Sequence, residues 1–192
     1  MSASDVLDRV LKAVGLEATA TFADTSFEVQ QVVSEINEAG RDIITRGEFS
    51  ALYVDEAIPA GSSHSLPSDW QEMGETGSIV MGDVLRPITM PEQWAFLSAN
   101  ASTQNYYMVR GTTVYFKPDL TATATMTYVS KNWVEGGKDE FTQDADMALI
   151  PERLLALGAI WRWRRLKGLP YDDQLAEFEA DLGASLKASR GA

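Results

Sequence analysis

The stretch PERLLALGAIWRWRRLKGLPYDDQLAEFEADLGASLK, residues 151–187, reads as two helices in series. Apolar residues recur at helical spacing from Pro151 to Lys167 and again from Tyr171 to Lys187. Between them Gly168-Leu169-Pro170 joins a residue free to take a left-handed turn to one that cannot continue a helix. In the second helix Leu175, Phe178, Leu182 and Leu186 form a narrow apolar stripe, which must lie against another element.

Partners for that stripe stand at the opposite end of the chain. Val6, Leu7, Val10, Leu11 and Val14 share one face of a short helix from Asp5 to Val14, with Ser4 as its N-cap and Gly15 as its stop. A longer helix runs from about Ser26 to Gly47, carrying Val29, Val32, Val33, Ile36, Ile43 and Ile44 on its apolar side. Gly40 lies on that side too. A glycine there costs about 1 kcal/mol of helix propensity, so its use is to let a neighbouring element come close.

Between these helical ends the pattern changes. Ala51 to Ile58 reads as a strand, and Pro59, Gly61 and the serines around His64 read as a polar loop. Tyr106 to Arg110 and Val114 to Lys117 flank Gly111-Thr112-Thr113 as a hairpin with a three-residue connection, and Thr121 to Ser130 reads as a further strand. Pro91 to Leu97 has the form of one or two helical turns, with proline at the first position and Trp94 and Leu97 inward. The expectation is an α+β chain: a helical bundle built from residues 1–48 and 149–192, with a β-rich insertion over 49–135 and a short helix near 91–98, all within one domain. At 192 residues a single core is the default.

Composition narrows the function. The chain has no cysteine and one histidine, which removes disulfides, thiolate metal sites and cysteine nucleophiles, and leaves a catalytic zinc short of ligands. Lysine and arginine total 16 against 28 acids, a net charge of −12, so a surface that coats nucleic acid is excluded. Residues 151–192 hold 7 basic and 6 acidic side chains, which leaves 9 and 22 for the rest, a net −13 against +1. Two surfaces with different tasks are implied. No apolar run reaches the length of a membrane span, and MSASDVLDRV lacks the basic-then-apolar form of a secretory signal, so the expectation is synthesis in the cytoplasm.

Candidate chemistry is sparse. His64 beside Ser63 and Ser65 suggests a nucleophile, but no G-x-S-x-G elbow is present, and a loop is the better reading. Asp144-Ala145-Asp146 suggests a calcium loop without its glycine or closing glutamate, and reads instead as a turn entering the next helix. Paired carboxylates for glycoside cleavage remain an alternative, although no pair is singled out. A partner-binding module without catalysis is another. Trp161-Arg162-Trp163-Arg164-Arg165-Leu166-Lys167 carries the strongest signal. Its cations complement the negative end of a helix dipole, while its two tryptophans stand about 200° apart on the helix, so one of them is expected to meet a partner.

Several segments together resemble a known family: INEAGRDIITRGEFSAL from Ile36, LPSDW from Leu66, MVRGTTVYFKP from Met108, YVSKNWV from Tyr128 and FTQDADMALIPERLLALGAIWRWRRLKGLPY from Phe141. They are similar to the head-to-tail adaptor proteins (connector or head-completion proteins) of tailed bacteriophages and related gene transfer agents, with Phe49 where a tryptophan is usual. The resemblance implies a non-enzymatic virion component of the neck, a ring of about twelve copies docked on the portal and receiving a tail terminator, stopper or tail-tube protein. DNA would pass through its lumen without specific binding, and no cofactor, metal or membrane is called for. Within that picture the portal or subunit interface falls to Trp161, Trp163, Arg164, Arg165, Lys167, Lys187 and Arg190. The acids Asp55, Glu56 and Asp83 are candidates for the channel wall.

Overall fold

The structure is a computed structural model that describes residues 2–16, 20–99 and 104–190. Five α-helices lie in it: α1 (Ala3–Val14), α2 (Phe27–Arg46), α3 (Pro91–Ala99), α4 (Glu152–Leu166) and α5 (Asp172–Arg190). Its strands are β1 (Tyr53–Ile58), β2 (Gly61–Ser65), β3 (Trp70–Glu72), β4 (Ser78–Met81), β5 (Asp83–Val84), β6 (Arg86–Pro87), β7 (Tyr106–Arg110), β8 (Thr113–Leu120) and β9 (Ala124–Ser130). The mixed α+β class read from the sequence is the one observed. No helix among the described residues is long and apolar enough to cross a membrane.

Two compact units divide the chain. One holds residues 1–52 and 131–192, the other residues 53–130.

The first unit is built on α4, which packs against α1, α2 and α5. Its residues Leu154 to Ala159 and Trp161 to Trp163 are buried, so no face of its middle turns is left to solvent. Small residues permit this crowding. A Cβ on Gly158 would stand 2.8 Å from the Cβ of Ala39 on α2, closer than real methyl contacts come. Gly40, one residue on, faces the indole of Trp133, which a Cβ there would overlap. The close neighbour that the sequence demanded at Gly40 is therefore a buried tryptophan. Gly47 after α2 does the same for Leu186 of α5.

The segment 131–150 wraps this bundle and is fastened to it by polar bonds. Asn37, buried on α2, reads the backbone of Phe141 in both directions: its side-chain oxygen accepts from the Phe141 amide at 2.9 Å and its Nδ2 donates to the Phe141 carbonyl at 3.2 Å. Phe141 packs edge-on against Trp133 and Phe22. The Ala3 and Ser4 amides, otherwise orphaned at the start of α1, donate to the carbonyls of Asp146 and Asp144 at 2.7 and 3.2 Å. The N-cap of α1 is Ser2, not Ser4. Asp5 accepts from the Ser2 amide at 2.8 Å and its hydroxyl at 2.9 Å, and these bonds hold the Asp5 carboxyl below the usual range.

In the second unit two sheets share one core. The first has the order β1-β9-β4-β5 with β3 also on β9, and the second the order β2-β8-β7-β6. Ile58, Ile79, Met126 and Tyr128 from the first meet Tyr107, Val114, Phe116 and Leu120 from the second. β1 pairs antiparallel with β9 from Tyr53↔Val129 to Ile58↔Ala124. The insertion therefore begins and ends on neighbouring strands.

Four expectations change here. Ala51 and Leu52 belong to a 3-10 turn, Ser50–Leu52, and the strand starts at Tyr53. The serines around His64 are not a loop but β2, paired with β8 as His64↔Val114 and Ser65↔Thr113. The β7–β8 connection is two residues, because Arg110 pairs with Thr113, and Gly111 at φ +58° supplies the left-handed first position that a tight hairpin needs. The strand read from Thr121 to Ser130 begins only at Ala124. The Arg190 side chain, Gly191 and Ala192 lie outside the described residues.

Candidate functional site

The WRWRR segment at the end of α4 was the strongest functional signal, and each of its side chains has an intramolecular partner. Trp161 is 8% exposed and lies 6.3 Å, centroid to centroid, from both Tyr171 and Phe178 of the α5 region. Trp163, 7% exposed, is equally interior. One core takes both, so the angle between them does not by itself call for a partner. On a helix enclosed by α1, α2 and α5, opposite faces are both core, so an angle of about 200° between two tryptophans no longer forces either into solvent.

Arg162, between them, is the residue whose role the sequence concealed. It is 9% exposed, stacks on Trp161 at 4.3 Å, donates to the Gly158 carbonyl at 3.0 Å and pairs with Asp42 of α2 at 2.6 Å. Asp42 in turn meets Arg46 at 3.6 Å, and Arg46 binds Glu179 of α5. The chain Arg162–Asp42–Arg46–Glu179 thus ties three helices together, and its bonds to Glu179 and Asp42 raise the Arg46 pKa. Asp42 stands in INEAGRD and Arg162 in WRWRR, so acid and base lie in the two most distinctive segments. Glu35, half-buried on α2, is raised by its burial, a shift that the nearby Arg162 and Arg165 charges partly oppose.

The remaining cations hold the helix end. Arg164 donates from Nε to the Pro170 carbonyl at 2.6 Å, closing the turn into α5. Arg165 is exposed and lies over Trp161 at 5.0 Å. Lys167 is also exposed, donates to Gln31 at 2.7 Å, and sits 5.5 and 5.9 Å from the rings of Trp163 and Phe27. Lys187 is exposed on α5. The surface that a partner can reach here therefore carries the cations Arg165 and Lys167 together with the exposed Phe27, Leu166 and Leu169, with the tryptophans behind them as support.

Acidic groups divide into structural and exposed ones. Asp146 is 5% exposed. It pairs with Lys138 at 2.6 Å and accepts from the amides of Thr142 at 2.7 Å and Gln143 at 3.1 Å. Burial pushes its pKa up, but these bonds pull it further down, well below the ordinary carboxylate range. Asp144 accepts from the Phe22 amide at 2.9 Å. The pair first read as a turn is thus a fastening point for the start of the chain. Among the described residues no cluster of three or more potential ligands could hold a metal ion.

In the β-rich unit Asp69 of LPSDW accepts from the hydroxyls of Tyr128 at 2.9 Å and Ser130 at 2.7 Å, so two further segments of the resemblance meet. Burial, then the bond to Asp69, drives the Tyr128 phenol far above its ordinary pKa. Asp55 is exposed on β1 and accepts from Thr127 at 2.6 Å, Asp83 is exposed on β5, and Glu56 is half-exposed. The same unit has an apolar groove of about 390 Å³ along α3, lined by Ile88, Phe96, Leu97 and Tyr106, with Glu92 and Gln93 at its edge.

Asn37 on Phe141, Gly40 on Trp133, Asp42 on Arg162 and Asp69 on Tyr128 make one pattern. The segments that stand out in the sequence recognise each other. No curated protein matches the chain. A family model described as the SU10 adaptor protein matches residues 1–192, the whole of it. With its signature segments accounted for as the scaffold of both units, the chain belongs to the SU10 adaptor protein family, a family of phage head-tail adaptors.

Proposed function

We propose that the protein forms a ring of about twelve copies beneath the portal, joins the capsid to the tail and leaves an axial opening through which the genome passes. The observation that carries this reading is the family match over the entire chain, which makes the protein a phage adaptor and a virion structural component. Family membership also implies dealings with portal and tail proteins. Its action rests on shape and surface charge, with no catalytic step.

The exposed cations Arg165, Lys167 and Lys187, with Arg164 and Arg190 beside them in the chain, are assigned to the portal or neighbouring subunit. Trp161 and Trp163 stiffen that surface from within. The exposed Asp55 and Asp83, with Glu56, are assigned to the channel, where a negative wall repels the duplex and keeps it from adhering.

Mixing purified protein with portal tests the reading. Alone, the protein should scatter light as a monomer or small species; with portal it should assemble into a ring visible by cryo-EM. Failure to associate with portal at any ratio would overturn the proposal. Reversing Asp55, Glu56 and Asp83 together should slow genome exit, and unchanged ejection would remove these acids from the wall.

A further inference from the structure

Strand register sorts the charges of the β-rich unit by face. Residues paired across neighbouring strands share a face, and successive residues of one strand alternate between faces. Residues 53–130 hold three cations, Arg86, Arg110 and Lys117, and eight acids. Arg86 pairs with Tyr106 and Tyr106 with Lys117, while Arg110, four positions on from Tyr106, pairs with Thr113. All three cations thus stand on one face of the β2-β8-β7-β6 sheet. It is the outer one, since Tyr107 and Phe116, paired on the other face, lie in the core between the sheets.

No cation of the unit is left for the outer face of the β1-β9-β4-β5 sheet. Its rows include Asp55↔Thr127↔Ser78 and Thr125↔Val80↔Val84, and Glu72, exposed on β3, joins them through its pairing with Val129. Its charges are the two acids Asp55 and Glu72. Glu56 and Asp83 are not on it. Glu56 pairs with the core residue Met126, and Asp83 with Met81 beside that core, so both belong to the core side of the same sheet, at its two edges. Asp83 there shares a pocket with Arg86.

Resting on the ring and axial opening proposed above, we infer that the outer face of the β1-β9-β4-β5 sheet is the surface that borders the passing duplex, with Asp55 and Glu72 as its charges and Glu56 and Asp83 outside it. A duplex carries one negative charge per about 1.7 Å of its axis, and each arginine or lysine that reaches a phosphate holds it in place. The face with Arg86, Arg110 and Lys117 would grip the genome at every copy. The cation-free face offers hydroxyls, methyls and two carboxylates, which leave a phosphate unheld or repel it. Four strands at about 4.8 Å spacing make this face roughly 15 Å wide, enough for one copy's share of a wall, whereas an edge presents a single row. The two outer faces of a sandwich look in opposite directions, so a ring that turns one to its axis turns the other away.

The absence of cysteine makes the test direct, since an introduced thiol is the only one in the chain. Full-length Thr125→Cys on the inferred wall and Tyr115→Cys on the opposite face, both exposed positions, are labelled with a maleimide-linked iron–EDTA chelate. Labelled copies are diluted with wild type and assembled into particles, and peroxide and ascorbate are added while the genome is leaving. The Thr125→Cys label should cut the genome at least tenfold more often than the Tyr115→Cys label. Equal cutting, or more from Tyr115→Cys, would overturn the inference. A ring seen by cryo-EM with no cutting from either position removes this wall and leaves the ring standing, whereas absence of the ring removes both. Independently, Asp55→Arg and Glu72→Arg together should slow genome exit about tenfold, and raised salt should restore it, because salt weakens contacts to phosphate. Tyr115→Arg should leave exit unchanged. Slowing that salt does not relieve, or equal slowing by Tyr115→Arg, would count against the wall.

Discussion

Burial alone raises the pKa of a carboxyl, yet at Asp146 the Lys138 ammonium and the Thr142 and Gln143 amides lower it by more. A carboxyl depressed in the folded state stabilises the protein above its unfolded pKa of about 3.9, and that contribution is lost as the pH falls below about 5. Asp146→Asn removes the charge from a buried pair and should cost about 3 kcal/mol at pH 7. Urea unfolding at pH 7 and pH 3 should show the gap between the two proteins narrowing in acid, and a constant gap would mean that Asp146 is not the group responsible. Gly40 sets two effects against each other. Alanine would gain about 1 kcal/mol of helix propensity, but its methyl falls on the fully buried Trp133 indole, and overpacking of that kind costs about 1 to 3 kcal/mol. Steric cost should win in Gly40→Ala. Trp133→Phe in the same chain should recover part of it, measured as a non-additive double-mutant cycle. The need for close approach at Gly40 was legible from the sequence, because glycine on an apolar helix face has few other uses. Its partner was not, since Trp133 lies 93 positions away.

Helices were the most legible elements. α2 and α4 start and stop within about a residue of the boundaries that apolar spacing, proline and glycine mark, because those signals act locally. The environment of α4 was hidden. Arg162, Arg164 and Arg165 give its sequence a charged side, and only the pairing of Arg162 with Asp42, 120 positions away, lets Arg162 be buried while Arg165 stays exposed. The short strands β3 to β6 were illegible for a related reason. At two to four residues each they are too brief to display a period, and they exist through pairing with β9, β7 and one another. β2 is a strand despite GSSHS because β8 pairs with it. The burial of Trp163 changes how the docking surface should be tested. Trp163→Ala should cost about 3 to 5 kcal/mol and lower the thermal midpoint, so weaker docking by that variant is uninterpretable. Arg165→Glu and Lys167→Glu are the informative changes. They should leave the circular dichroism spectrum intact while weakening portal binding about tenfold as a pair. Removing the residues after Leu186 breaks the bond from the Ser50 amide to the Ser189 hydroxyl, 2.9 Å long, and should lower stability by about 1 kcal/mol without unfolding the chain.

On the scale of the whole molecule, the alternation of helices, strands and helices was readable because the hydrophobic period changes twice along the chain. The grouping of 131–150 with the helices was not, since that stretch has no period of its own and is held by Asn37, Gly40 and the start of α1. This grouping has a consequence for folding. The chain leaves the helical unit after Leu52 and returns at Lys131, and Tyr53 and Val129 are directly paired strand residues, so the two crossing points are about 5 Å apart at the root of the insertion. An insertion whose ends meet can be removed without stretching its host. Replacing residues 53–130 by a short Gly-Ser linker should therefore leave the bundle of α1, α2, α4 and α5 folded, because the core around α4 and the Arg162–Asp42–Arg46–Glu179 chain lie wholly within residues 1–52 and 131–192. The shortened protein should be strongly helical by circular dichroism and unfold in one cooperative transition. A molten or unfolded product would show that the helical unit draws its stability from the insertion, and that the chain folds only as a whole.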